Sequence, residues 1–204
     1  MPDPQARFEF RIWGSHLDVA HKRLDALTDA SGPRESAETY ILSRLTDAAN
    51  VKIRDGLLDI KLLVEQQGHL ERWRPVLKTG FPLESRTIVE VVFPNLGVPP
   101  PALERGAYAH GELIQDVVRA HRELAAVDVT KKRYGYKLER CTAEFAIVAI
   151  DGGSVSETVQ VEAEDPVAAL GAIVQLGLSA QPNVNYIRQL KTMIGMAPAP
   201  DSSN

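Results

Sequence analysis

The sequence predicts an α+β protein in which antiparallel β-strands are flanked by helices. Three observations lead there. Short β-type segments follow one another with turn signals between them, several of these segments carry charge at every second residue, and helical segments with one apolar side each are available to cover the uncharged strand faces. A chain of 204 residues with 44% hydrophobic and 25% charged residues has ordinary globular composition. It reads as a flexible leader (1–6), one domain (7–196) and a disordered tail (197–204) rich in Pro, Ser and Asp.

Residues 7–12 alternate charged with apolar side chains. This puts Arg7, Glu9 and Arg11 on one face of a strand and Phe8, Phe10 and Ile12 on the other. Ser15 is placed to cap a helix to about residue 30, with Leu17, Ala20, Leu24 and Leu27 at helical spacing, and Gly32 and Pro33 stop it. Strand segments follow at 38–43, 51–54, 57–64 and about 70–78, with Asp55-Gly56 as a hairpin turn between the second and third. Residues 87–93 fit either a strand or a short helix, 94–101 is a Pro-rich loop, and 111–125 is a helix with Leu113, Ile114, Val117, Val118, His121 and Leu124 on one side. Next come strands at 127–140, 142–151 and 156–164, the last two joined by a tight turn at 151–154. Asp165 followed by Pro166 opens a helix whose apolar side is Val167, Leu170, Ile173 and Val174, ending at Gly177. A last helix at 184–194 has Ile187, Leu190 and Ile194 on its apolar side.

The period-two charge is the feature that points to function. Lys52 and Arg54 share a face, as do Asp59 and Lys61, Arg72 and Arg74, and the set Lys131, Arg133, Lys137 and Glu139. If the strands curl into a barrel wrapped by helices, the charged faces point into the lumen. An ordinary sheet with one solvated face gives the same alternation, so the two architectures stay open on periodicity alone. In the barrel, two like charges about 5 Å apart repel by roughly 3 kcal/mol at an effective dielectric near 20. Converging cations therefore need carboxylates or a polyanionic guest, and few acids lie nearby in the sequence. Phosphate suits them, because guanidinium forks bind its oxygens bidentately and ammonium groups add compact charge.

Several classes are set aside. A formal net charge of −4 argues against bulk nucleic-acid binding. No apolar run follows a basic start, and none approaches about 18 residues, so neither a signal peptide nor a membrane span is expected. The single cysteine, Cys141, fits a reducing, cytoplasmic setting and cannot build a thiolate metal site. The five histidines show no metal-ligand spacing, and no P-loop or dinucleotide-binding glycine pattern occurs.

In order along the chain, the motifs resemble the CYTH superfamily, the triphosphate tunnel metalloenzymes, and its thiamine-triphosphatase-like members in particular. Arg7, Glu9 and Arg11 take the register of the family's opening E-x-E-x-K strand. Glu38-Thr39-Tyr40 is similar to the strand after the first helix, Val51-Lys52-Ile53-Arg54 to the L-R-x-R strand, and Leu58-Asp59-Ile60-Lys61 to the strand bearing a phosphate-binding lysine. Residues 133–138 (RYGYKL) resemble R-x-x-W-K-L, Ala149-Ile150-Asp151 resembles the strand ending in a family aspartate, and Val159-Gln160-Val161-Glu162 sits at the late E-x-E. The expected helix and Leu176-Gly177-Leu178 follow.

The resemblance implies an eight-stranded antiparallel tunnel that binds a triphosphate or related polyphosphate with Mg²⁺ or Mn²⁺. It implies Lys61 and Arg133 as catalytic residues and Arg11, Lys52, Arg54, Arg72, Arg74 and Lys137 as substrate-binding ones. Glu9, Glu162 and Glu164 are the implied metal ligands. Arg7 stands where the family has its first glutamate, Gln160 where it has the first acid of the late pair, and Arg72-Trp73-Arg74 where it has an acid-bearing strand. Three outcomes follow: a metal-dependent triphosphatase, with a class IV adenylyl cyclase-like enzyme as a special case; a noncatalytic anion-binding tunnel; or a scaffold whose charged strands make salt bridges. The oligomeric state, a homodimer included, is left open.

Overall fold

Backbone pairing decides between the open sheet and the barrel. A computed structural model describes residues 5–197, so most of the expected leader and tail lies outside the described residues. The strands are β1 (Arg7–Gly14), β2 (Ser31–Ser43), β3 (Thr46–Arg54), β4 (Leu57–Gln67), β5 (Leu70–Gly80), β6 (Leu83–Glu84), β7 (Ala107–Tyr108), β8 (Leu124–Lys137), β9 (Thr142–Ile150) and β10 (Val155–Ala163). Eight of them close into an antiparallel barrel in the order β1-β10-β9-β8-β2-β3-β4-β5, because β1 pairs with β10 on one side and with β5 on the other. β6 and β7 form a separate two-stranded sheet. The helices are α1 (Asp18–Leu27), α2 (a helical run, 85–95), α3 (a helical run, 110–118), α4 (Pro166–Gln175) and α5 (Tyr186–Met193).

The alternation that predicts the strands also assigns their faces. Outward-facing Ile41, Val51, Ile53, Leu58 and Ile60 pack under α2 and α3 through Ile88, Val92, Phe93, Leu113 and Val117. Outward-facing Phe8, Phe10, Ile12, Val159, Val161 and Phe145 pack under α1 and α4 through Leu24, Ala169, Ala172 and Ile173. With the outside apolar and covered, the charged residues of β1, β3, β4 and β8 are left to face inward. The Asp55-Gly56 turn has φ of 53° and 72°, the paired left-handed geometry of a tight hairpin.

Several boundaries differ from the sequence reading. Ser15 does not cap α1; the helix begins at Asp18, and the N–H of Leu17 donates to Glu157 Oε2 at 2.6 Å. Gly32 and Pro33 lie inside β2, at a register shift between the pairs Ser31/Gly135 and Arg34/Arg133. A proline is tolerated there because a bulge does not need its missing N–H. Gly32 has φ of 125°, and a Cβ would sit 2.9 Å from the carbonyl oxygen of Arg133. Residues 87–93 are helical, and α3 stops near residue 118 because Leu124 already starts β8. On α4 the buried side is Ala169, Ala172 and Ile173, whose small residues let the helix lie close to β10 and β1. Val167, Leu170 and Val174 are therefore turned outward, at 69%, 46% and 67% exposure.

Candidate functional site

The inner faces of the strands enclose a cavity of about 240 Å³. β1 contributes Glu9 and Arg11, β3 Asn50, Lys52 and Arg54, β4 Asp59 and Lys61, and β5 Glu71 and Trp73. From the other half come Lys131 and Arg133 on β8, Glu144 on β9, and Gln160 and Glu162 on β10. Six cations and five carboxylates thus line one small space, and buried Glu38 of β2 contacts three of the cations. The expectation that acids are few near these cations is corrected. Barrel closure recruits them from strands far apart in sequence.

The charges are sorted by wall. Glu162, Glu9 and Glu71 are direct cross-strand neighbours on β10, β1 and β5. Like charges in such positions are destabilising unless partnered. Lys61 Nζ lies 3.0 Å from Glu9 Oε1, and Arg7 reaches Glu162 from the rim at 3.4 Å. Glu71 accepts from Asn185 Nδ2 and from Trp73 Nε1, each at 3.1 Å. Burial, with Glu9 alongside, pushes the Glu162 carboxyl above its ordinary range, and burial does the same to Glu71. Burial opposes the charge on Lys61, but Glu9 and Glu162 outweigh it and hold the ammonium above its ordinary value.

Half a turn round the barrel, β8, β2 and β3 form the opposite wall. Its cations converge on Glu38, whose side chain is fully buried: Lys131 at 2.8 Å, Lys52 at 3.4 Å and Arg54 at 3.5 Å. The Tyr40 hydroxyl donates to the same carboxylate at 3.0 Å. Burial opposes ionisation, yet Lys131 and Lys52 bring the Glu38 pKa down to about 2. Lys131 is pushed down to about 7, first by burial and then by Lys52, against the pull of Glu38.

Below these charges the inner faces turn apolar. Leu42, Val127, Val129, Ala146 and Val148 pack against Tyr186, Ile187 and Leu190 of α5, which stoppers that end of the barrel. Asn185 caps α5, its side chain accepting from the N–H of Arg188 at 3.0 Å. Lys191, fully buried on the same helix, is held by Asp47 and the carbonyl of Thr46.

The structure brings together Glu9, Arg11, Lys52, Arg54, Lys61, Arg133 and Glu162 from the residues singled out in the sequence. It does not bring in the other four. Arg72 and Arg74 face outward, because Glu71 and Trp73 occupy the inward register of β5; Arg72 pairs with Glu65 at 3.1 Å and lies over Phe8. The acid expected on this strand is therefore present as Glu71. Lys137 is at the exposed end of β8, and Glu164 lies past the end of β10, 3.7 Å from Arg7. Glu139 is in the exposed turn after β8.

A solved structure shares this architecture. A candidate adenylate cyclase from Bacillus halodurans matches with a TM-score of 0.52 at 9% identity, over 92% of this chain and 97% of that one. A conserved hypothetical protein from Pyrococcus furiosus matches with a TM-score of 0.48 at 17% identity, over 90% and 98%. A second candidate adenylate cyclase, from Vibrio parahaemolyticus, gives 0.42 at 9%, over 94% and 99%. At 9% identity the Bacillus halodurans likeness shows the fold alone. No family model matches the chain, and no curated protein matches it.

The donor set bears on a metal ion. Among the described residues no group of three or more His, Cys, Asp or Glu side chains converges as a complete metal site. Glu71 is turned to Trp73 and Asn185, which leaves Glu9 and Glu162 as adjacent carboxylates. Two carboxylates with phosphate oxygens and water are a ligand set that Mg²⁺ accepts, so the residues fit an ion brought in with a phosphate guest. Sequence reasoning put Lys131 on the inward, charged face but gave it no role, named Glu38 only as part of a strand motif, and missed Glu71 and Tyr186. Glu38 and Glu71 sit at period-two positions that closure turns inward, whereas Tyr186 carries no sequence signal because only tertiary packing brings α5 into the lumen.

Proposed function

We propose that the lumen binds a triphosphate or a related polyphosphate anion. The carrying observation is that six cationic side chains from four strands face one cavity of about 240 Å³. That volume is below the roughly 300 Å³ at which pockets for drug-sized ligands begin. It suits a short phosphate chain, with any nucleoside or other organic part outside. The resemblance of the strand motifs to triphosphate tunnel enzymes supports the same guest. On this reading Arg11, Lys52, Arg54 and Arg133 hold phosphate oxygens, and Glu9 and Glu162 hold Mg²⁺ or Mn²⁺ together with the phosphates.

Such a site can hydrolyse a phosphoric anhydride. A bound divalent ion would supply charge neutralisation at the phosphoryl oxygens and a more acidic water. The chain's own part is positioning and electrostatics. Lys61, anchored by Glu9, and Arg133, whose Nε is buried with no partner among the described residues, stabilise charge that moves onto the leaving oxygen. A noncatalytic reading is favoured by Arg7 and Gln160, which stand where the resembled family has acids.

Thermal unfolding with inorganic tripolyphosphate, with and without Mn²⁺, tests the proposal. At a hundred times Kd a ligand specific for the folded state adds about 2.7 kcal/mol. That raises Tm by roughly 5 to 10 °C in a chain of this size. A raised Tm with phosphate release identifies a hydrolase, and a raised Tm without release a binder. An unchanged Tm overturns the proposal.

A further inference from the structure

Tyr186 presents a buried hydroxyl that makes no hydrogen bond with any described residue. Its ring is fixed on several sides: Tyr40 stacks on it at 5.2 Å, Trp13 meets it edge-on at 4.8 Å, and the charged ends of Arg11 and Lys131 lie 4.6 and 4.1 Å from its centroid. The segment before it is tied to β1. The N–H of Val184 donates to the carbonyl of Arg11 at 2.8 Å, Trp13 Nε1 donates to the carbonyl of Val184 at 2.9 Å, and the N–H of Arg11 donates to Asn183 Oδ1 at 2.8 Å. The strand that aims Arg11 therefore also sets Tyr186. A buried hydroxyl is ordinarily hydrogen-bonded, and an unpartnered one on a residue that lines the cavity, its ring flanked by two cations, is a donor that an anion can satisfy.

The stopper adds a direction. Because α5 fills the end of the barrel beyond Tyr186, a linear anion cannot thread through and must enter end first. We infer that Tyr186 is the end-stop of the site: its hydroxyl, together with Arg11 and Lys131 against its ring, receives the terminal phosphate of a linear chain, so the guest must carry a free phosphate end. This rests on the polyphosphate reading above and narrows it. Chains substituted at both ends, and cyclic phosphates, bind more weakly.

Calorimetric titration of the full chain with three probes tests the inference: tripolyphosphate, pyrophosphate and cyclic trimetaphosphate. Pyrophosphate has free ends and about the same charge as the cycle, so it separates chain ends from charge. Both linear probes are expected to bind at least tenfold more tightly than the cycle. In Tyr186→Phe, linear-probe affinity falls about 10- to 100-fold, as for loss of a hydrogen bond to a charged group. Cyclic-probe affinity holds, and the ligand-free Tm is unchanged or higher because an unpartnered polar group has gone. A structural role alone would lower that Tm and leave the preference intact. Equal binding of linear and cyclic probes overturns the inference while the polyphosphate reading stands, as does wild-type affinity in Tyr186→Phe. Binding of none of the three overturns both.

Discussion

The acidic wall on β10, β1 and β5 and the basic wall on β8, β2 and β3 arise from the same alternation of residues, yet they manage like-charge crowding in opposite ways. On the basic wall Lys52, Arg54 and Lys131 gather on one buried carboxylate, and Glu38 stays ionised down to about pH 2. The acidic wall has no such hub. Its three carboxylates stand side by side, and two of them, Glu71 and Glu162, are pushed above their ordinary range. On one wall a built-in carboxylate offsets part of the positive charge before any guest arrives; on the other, Lys61 and Arg7 pair with two carboxylates but leave Glu162 and Glu71 above their ordinary range. The same substitution should therefore have opposite signs on the two walls. Glu38→Gln leaves buried cations without their counter-charge and is expected to destabilise by about 3–5 kcal/mol, a fall in Tm of roughly 10 °C. Glu162→Gln removes a charge that the fold disfavours, so its Tm is expected to match or exceed that of the wild-type chain. Thermal melts of the two variants without ligand check this, and a Glu38→Gln melt no lower than that of Glu162→Gln would dissolve the contrast. Tripolyphosphate should restore part of the loss in Glu38→Gln, because it supplies the missing negative charge from the lumen side.

The next largest effect sharpens the contrast between lumen and outside. Lys61 links the walls, since it stands on β4 and pairs across the barrel seam with Glu9 of β1. Lys61→Ala is expected to weaken tripolyphosphate binding by about 1.5–3 kcal/mol, as for loss of a hydrogen bond to a charged group. Arg74→Ala, on the outward and exposed register of β5, should change affinity by less than about 0.5 kcal/mol. Isothermal titration of both variants decides whether the inward register, and not net charge, sets affinity.

Why one register was legible and another was not comes down to what flanks each strand. On β1, β3 and β4 charged and apolar residues alternate without ambiguity, so Glu9, Arg11, Lys52, Arg54 and Lys61 were placed on the correct face from sequence. On β5 the run Glu71-Arg72-Trp73-Arg74 puts a carboxylate and an indole on one face and two arginines on the other, both amphipathic, and pattern alone favours the wrong one. Only pairing of Glu9 with Glu71 fixes the choice. A similar limit applies to α4, where Val167, Leu170 and Val174 form the more apolar stripe but the small-residue stripe is the one that packs. Barrel closure is a contact between the first strand and both β5 and β10, more than 60 residues away in the nearer case, and no local pattern encodes it.

The smallest effect concerns a proton on the basic wall. Lys131 faces Glu38 and Tyr40 from β2, Lys52 from β3, Arg11 from β1 and Tyr186 from α5. Burial and Lys52 hold its pKa at about 7 against an ordinary 10.5. Between these values the unfolded chain keeps a proton that the folded chain has released, so stability without ligand should rise as pH rises from 7 towards 10. Binding has the opposite sign. A polyanion beside Lys131 favours the ammonium, the complex takes up a proton, and affinity should fall above pH 7 by at most tenfold per unit. The phosphate guest titrates as well, so the contribution of Lys131 is the part of the slope that Lys131→Met removes. Melting and tripolyphosphate titration of both proteins across pH 7 to 9 read the two trends together. Parallel slopes in the two proteins would show that Lys131 is not the titrating group, whereas a flatter profile in the methionine variant for both stability and affinity assigns the proton to this one buried amine.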